Sequence, residues 1–189
     1  MLPSTGYCYR SGINFRSFHS HNICLLWQAF ISFVLPILEY ASQVWNSSIL
    51  KYTTDLENVQ RNFIYRIRSI KYLSYPERLA ILNLELLWLR RLKNDLLMYY
   101  TILNNLTPIS NDDHFTKRTD TSIHTRTFGN GLLLKPFCRT NIIGNHFYFR
   151  SIEAWNTLPS TITNASSPLM FKRLLSTWDF SPFLVGKLY

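Results

Sequence analysis

Three long stretches of this chain repeat apolar residues at the period of an α-helix, and that pattern leaves little room for a sheet. In the first, Leu26, Phe30, Phe33, Ile37, Tyr40 and Val44 follow helical spacing, while Trp27, Ile31, Leu35 and Leu38 fill a second face. A helix apolar nearly all round is expected to be a central one. Asn22 is a plausible N-cap, and Pro36 predicts a kink or break inside the helix. The second stretch, about 54–70, carries a stripe of Leu56, Val59, Phe63, Ile67 and Ile70. The third, about 86–104, carries Leu89, Leu92, Leu96, Tyr100 and Leu103.

The sixteen residues from Ile23 to Leu38 are the one membrane candidate, but they include Gln28, Ser32 and Pro36 and end at Glu39. A spanning helix needs roughly 20 apolar residues. A buried helix is the expectation, and no membrane partner is assigned. Met1 is followed by a polar start rather than a signal-peptide apolar run, so an intracellular protein, nuclear or cytoplasmic and not secreted, is expected.

Apolar residues make up 47% of the 189 and aromatic residues 15%, which argues against disorder. A net charge of +9, with thirteen Arg to seven Lys, points to a polyanionic partner without naming it. Cys8, Cys24 and Cys138 are odd in number and far apart, so no disulfide framework is read. His19, His21, Cys24 and Cys8 could be taken for metal ligands. Their spacing matches no structural zinc pattern, so no metal and no cofactor is assigned.

The remaining organisation follows from punctuation. Residues 1–21 are expected to be irregular, and 22–105 to form a helical bundle. Ser74-Tyr75-Pro76-Glu77 reads as a capping box ahead of a short helix through Leu82. Residues 106–130 are rich in Ser, Thr, Asn and Asp and read as a polar linker. In a C-terminal helical subregion, 131–180, Leu132 to Leu134 reads as a short strand. One helix is predicted over Asn145 to Asn156 and another from Ser167-Pro168 to Trp178. Residues 181–189 are a tail. The fold class is mainly α, with at most a short strand pair.

Five ordered blocks carry a likeness to a known family. They are Pro36-Ile37-Leu38-Glu39-Tyr40-Ala41-Ser42-Gln43-Val44-Trp45-Asn46; Leu56-Glu57 with Val59-Gln60-Arg61; Leu73-Ser74-Tyr75 with Glu77-Arg78-Leu79, then Leu82 and Leu84; Arg90-Arg91 with Asp95-Leu96, Tyr100 and Ile102-Leu103; and Phe149-Arg150 with Trp155-Asn156, Leu158-Pro159, Phe171-Lys172 and Leu174. Together they resemble the region downstream of the polymerase palm in jockey-type, LINE-like non-LTR retrotransposon reverse transcriptases, over most of the chain from about Phe15 to Trp178. Two departures stand out. Leu35 precedes Pro36 where that family usually has a basic residue, and Ser47 follows Trp45-Asn46 where it usually has proline. The resemblance implies a thumb that helps hold primer and template for a palm, present in cis or supplied in trans.

The residues do not supply the chemistry of that enzyme. Reverse transcription needs palm carboxylates holding two metal ions. The adjacent pair Asp112-Asp113, before His114, sits in a polar loop rather than between apolar strands, and reads as a solvated turn. No nucleophile elbow is present, and Gly129-Asn130-Gly131 lacks the Lys-Ser/Thr of a phosphate-binding loop. Catalytic residues are therefore none, and no small-molecule substrate is assigned. Basic and aromatic residues alternate at Arg61, Tyr65, Arg68 and Tyr72, and again in His146-Phe147-Tyr148-Phe149-Arg150. Arg can hold phosphates and aromatics can stack on bases. The expected phosphate contacts are Arg61, Arg66, Arg68, Arg90, Arg91 and Lys93, binding duplex or hybrid RNA or DNA backbone weakly. Three residues are read as structural: Glu39, paired with an arginine of a neighbouring helix; Trp45; and Trp155, which anchors the C-terminal subregion. The rival readings are a domesticated protein-interaction module and a decayed fragment without function.

Overall fold

The computed structural model describes residues 23–46, 50–109, 115 and 132–184. The chain is mainly helical. The helices are α1 (Ile23–Ala29), α2 (Leu35–Glu39), α3 (Ser42–Trp45), α4 (Leu50–Tyr65), α5 (Tyr75–Leu82), α6 (Leu87–Leu103), α7 (Asn141–Gly144), α8 (Phe147–Arg150), α9 (Ile152–Asn156), α10 (Ser160–Thr163), α11 (Pro168–Thr177) and α12 (Ser181–Leu184). Two compact units emerge, one from residues 23–42 and 50–91, the other from 43–46 and the described residues after 91. The division falls inside α6, whereas the sequence placed its boundary in the polar segment 106–130, most of which lies outside the described residues.

The first predicted helix is interrupted twice. Pro36 has no N–H, and its ring crowds the carbonyl one turn back. The chain accommodates it with a π turn over Phe30–Val34, closed by the Leu35 N–H on the Phe30 carbonyl. A π turn holds one more residue than an α turn. The inward face therefore advances by one position. Leu26, Ala29 and Phe30 are buried ahead of it, but Val34, Leu35 and Leu38 are buried after it, and Phe33 is 60% exposed. The expected stripe through Phe33, Tyr40 and Val44 is corrected accordingly, and the helix is one-sided rather than apolar-buried all round. The second interruption is at Tyr40-Ala41, where Ala41 takes a left-handed φ of 49°.

In the first unit, the π turn and α4 meet at Phe30 and Phe63, whose ring centroids lie 4.7 Å apart. The Trp27 indole N–H donates to the Leu82 carbonyl at 2.8 Å. Val59, Phe63, Ile64 and Ile67 are buried, and each such side chain is worth roughly 1.5–3 kcal/mol in burial. α4 stops at Tyr65, short of the predicted Ile70, and a 3₁₀ turn over Arg68–Ile70 follows. α5 begins as its capping signal predicts: the Ser74 N–H donates to Glu77 Oε2 at 2.7 Å. It ends on Asn83, left-handed at φ 51°, with the Leu84 N–H on the Leu79 carbonyl. α6 ends in the same way, with Asn105 at φ 53° and the Leu106 N–H on the Thr101 carbonyl. Asparagine tolerates that conformation, and the backward hydrogen bond satisfies a terminal carbonyl.

The second unit is built on aromatic packing. Tyr99 of α6 lies 4.8 Å from Phe115, 5.2 Å from Phe147 and 6.0 Å from Trp155, centroid to centroid. Tyr100 stacks on Phe171 of α11 at 4.5 Å. The predicted helix over Asn145 to Asn156 is broken at Ser151 into α8 and α9. No strand occurs among the described residues. The expected strand at Leu132 to Leu134 is instead a single bridge residue, Leu133. Its N–H donates to Asn156 Oδ1 at 2.8 Å and its carbonyl accepts from Asn156 Nδ2 at 2.9 Å, so a side-chain amide stands in for a neighbouring strand. α11 starts at Pro168, with the Ser167 hydroxyl accepting from the Met170 N–H.

Trp155 is 5% exposed and touches both Tyr99 and Phe171. Trp155→Ala should cost about 3–5 kcal/mol, read by urea unfolding. A loss under about 0.5 kcal/mol, the size of a surface substitution, would remove it from the core.

Candidate nucleic-acid interface

The three α6 cations expected to hold phosphates are occupied elsewhere. Arg90 forms a two-pronged ion pair with Glu39, the arginine partner expected for that carboxylate. Arg91 is 1% exposed, and its Nε donates to the Leu87 carbonyl at 3.2 Å. Lys93, in the second unit, is half-buried with its ammonium 5.8 Å from the Phe180 ring. All three lie off the Leu89–Leu92–Leu96 stripe. The stripe is too narrow a description, because α6 also buries Leu87, Tyr99 and Ile102. Arg91 is therefore corrected from a phosphate contact to a member of the packed interior, while Arg90, about a third exposed, is committed to Glu39.

The second basic–aromatic run is structural as well. Phe147 is buried, and Arg150 forks onto Asp95, Nε to Oδ2 and Nη2 to Oδ1, both at 2.8 Å. Arg150 Nη1 also donates to the Asn46 carbonyl, and the Ser151 hydroxyl donates to Asp95 Oδ2. Trp45 is half-buried on α3.

What remains is the corner between α4 and α5. Ile67 and Ile70 are buried and pin the connecting turn. Arg66, Arg68, Lys71 and Tyr72 point outward, with Tyr72 92% exposed. Arg61 and Arg68 do not share a helical face, since α4 ends before Arg68. They are joined instead through the turn. The Lys71 ammonium and the Arg78 guanidinium each lie 5.4 Å from the Tyr65 ring. Arg61 lies 4.7 Å over the Tyr75 ring, and Arg78 is 5.8 Å from the same ring. Three cations, Arg61, Lys71 and Arg78, thus lie against two tyrosines, with Arg66 and Arg68 exposed on the adjoining turn. Lys71 and Arg78 were missed in the sequence. The readable signal was Arg78 three positions after Tyr75, a spacing that puts both on one helix face.

A buried polar network supports the corner from beneath. The Tyr75 hydroxyl donates to Glu57 Oε1 at 2.5 Å. Gln60 Nε2 donates to the Tyr75 hydroxyl at 3.2 Å and to the Glu85 carbonyl at 3.0 Å. Burial lifts the Glu57 carboxyl above its ordinary value, opposed by hydrogen bonds from Tyr75 and the Trp88 N–H and by the Arg91 charge. Burial, and then the Glu57 charge, raise the Tyr75 phenol. The α5 carboxylate, Glu77, is turned to its cap, and the Ser74 hydroxyl holds it below the ordinary range.

Asp112, Asp113, His114, the Gly129-Asn130-Gly131 turn, Cys8, His19 and His21 lie outside the described residues. Among the described residues no group of three His, Cys, Asp or Glu could hold a metal, and Cys24 is exposed. No described helix is long and apolar enough to cross a membrane. No protein-family model, curated protein or solved structure matches the chain.

The raised Glu57 pKa has a definite sign. The folded state binds that proton more tightly than the unfolded chain. Its stabilising contribution is complete below the ordinary value of 4.5 and is lost as pH rises through the folded value. Glu57→Gln keeps an acceptor for Tyr75 and removes the titration. The melting temperature of the variant relative to the natural chain should therefore climb as pH rises above the ordinary value of 4.5. A difference that stays flat would show that the pocket compensates the carboxylate charge in full.

Proposed function

We propose that the chain is the thumb-like C-terminal region of a jockey-type, LINE-like reverse transcriptase, gripping the primer–template backbone and carrying no nucleotide chemistry of its own. The five ordered blocks of sequence likeness support the family. The observation that carries the binding role is the α4–α5 corner, where Arg61, Lys71 and Arg78 lie against Tyr65 and Tyr75 and Arg66 and Arg68 are exposed on the connecting turn. Such a surface reads phosphates rather than bases. Its natural ligand is a duplex or hybrid, held with little sequence preference.

Binding of labelled RNA–DNA hybrid, followed by anisotropy over a range of salt, tests this. Three to five phosphate contacts predict a log–log slope of about −2.7 to −4.5. Replacing Arg66 and Arg68 together with Ala should flatten the slope by about two units and weaken all sequences alike. Absence of salt-sensitive binding by the natural chain would overturn the reading. In a primer-extension assay with magnesium or manganese, the chain alone should incorporate no nucleotide. Incorporation abolished by Asp112→Ala and Asp113→Ala would assign catalysis to that pair instead.

A second reading, a domesticated protein-interaction module, draws on a different surface. Leu25, Phe33 and Tyr40 are 48%, 60% and 80% exposed. Weak salt dependence and a stable protein complex would favour it.

A further inference from the structure

We infer that Arg61 and Arg78 form a discrete seat for one phosphate-class oxyanion, filled in the complex by a single backbone phosphodiester; the choice of occupant rests on the nucleic-acid reading above. The seat differs in kind from the exposed cations of the turn. Arg78 is 7% exposed, and its Nε and Nη1 are buried without a hydrogen-bond partner among the described residues. Arg61 Nε is buried in the same condition. The two guanidiniums lie on one ring, Tyr75, at 4.7 Å and 5.8 Å from its centroid. A guanidinium laid over a ring keeps its donors at its rim, where they match a tetrahedral oxyanion.

The carboxylates of this cluster are committed elsewhere. Glu57 accepts from the Tyr75 hydroxyl and the Trp88 N–H and faces the Arg91 charge. Glu77 accepts from the N–H and hydroxyl of Ser74. Arg90 and Arg150 show the alternative, each forked onto a carboxylate. A guanidinium withdrawn from water without a counter-charge carries a desolvation cost. Ring contacts offset only part of that cost. An anion held between the two guanidiniums would supply the rest. Tyr75 is itself locked by Glu57 and Gln60, so the platform is preorganised rather than assembled on binding.

The test uses the full chain and two probes. Inorganic pyrophosphate is compared with chloride at equal ionic strength for its effect on the melting temperature. The natural chain should melt higher in pyrophosphate, and Arg61→Gln and Arg78→Gln should each lose that rise. The same variants should weaken hybrid binding about tenfold and flatten the salt slope by about one unit each. No rise in the natural chain, or an equal rise in both variants, overturns the seat. A pyrophosphate response lost in the variants with an unchanged hybrid slope overturns the phosphodiester as occupant. If the natural chain binds no nucleic acid but the pyrophosphate response depends on both arginines, the seat stands and the nucleic-acid reading fails. Should Arg78→Gln not fold, half-exposed Arg61 carries the same comparison.

Discussion

The carboxylate of Asp95 sits where water cannot reach it, its side chain 1% exposed, and the second unit is built to satisfy it. Removing an isolated carboxylate from water costs several kcal/mol, and a lone point charge opposite would repay little of that. Arg150 answers with a fork, two parallel hydrogen bonds of 2.8 Å, and has a third donor left for the Asn46 carbonyl. A fork has one orientation. Once Asp95 is buried on α6, α8 must present Arg150 from one direction, and residues 43–46 must bring the Asn46 carbonyl to its far side. The break at Ser151 belongs to the same arrangement, because the Ser151 hydroxyl donates to Asp95 Oδ2 at 3.2 Å.

The first unit buries a carboxylate on different terms. Glu57 is 6% exposed, but its direct hydrogen bonds come from a phenol and a backbone N–H, with Arg91 acting as a charge rather than a fork. Neutral donors stabilise a carboxylate less than a guanidinium does. That is why burial wins and the Glu57 proton is held more tightly. One unit is pinned by a carboxylate matched by a guanidinium fork. The other is supported by a group whose ionisation opposes the packing around it.

How much of this was legible in the sequence divides along physical lines. α4 and α6 were readable from period alone, and α5 and α11 from Ser74-Tyr75-Pro76-Glu77 and Ser167-Pro168, because capping is local chemistry. The π turn was not readable. Pro36 announces an irregularity, but whether the helix kinks, stops or takes in an extra residue depends on which apolar face its neighbours cover. Glu39 was read as the partner of an arginine on a neighbouring helix, and Arg90 is that arginine. The partners of the other polar residues in the five blocks were not legible: Glu57 and Gln60 with Tyr75, and Asp95 with Arg150, are pairs across long separations, and periodicity assigns no partner to a charge. The blocks that suggest a family therefore describe the interior of the molecule more than its exposed surface.

The arginines carry that argument to the interface. A net charge of +9 invites a count of phosphate contacts from composition, yet Arg90 and Arg150 are each neutralised by a carboxylate and Arg91 is enclosed. What distinguishes Arg61 and Arg78 is not position in a stripe but the surface beneath them. A tyrosine ring holds a guanidinium flat without cancelling its charge, whereas a carboxylate holds it and cancels it. Tyr75 has little freedom to do otherwise, because its hydroxyl is fixed by Glu57 and Gln60 below. The same buried carboxylate that strains the first unit thus fixes the ring on which two uncancelled charges rest. Stability and the proposed oxyanion seat are coupled through a single phenol.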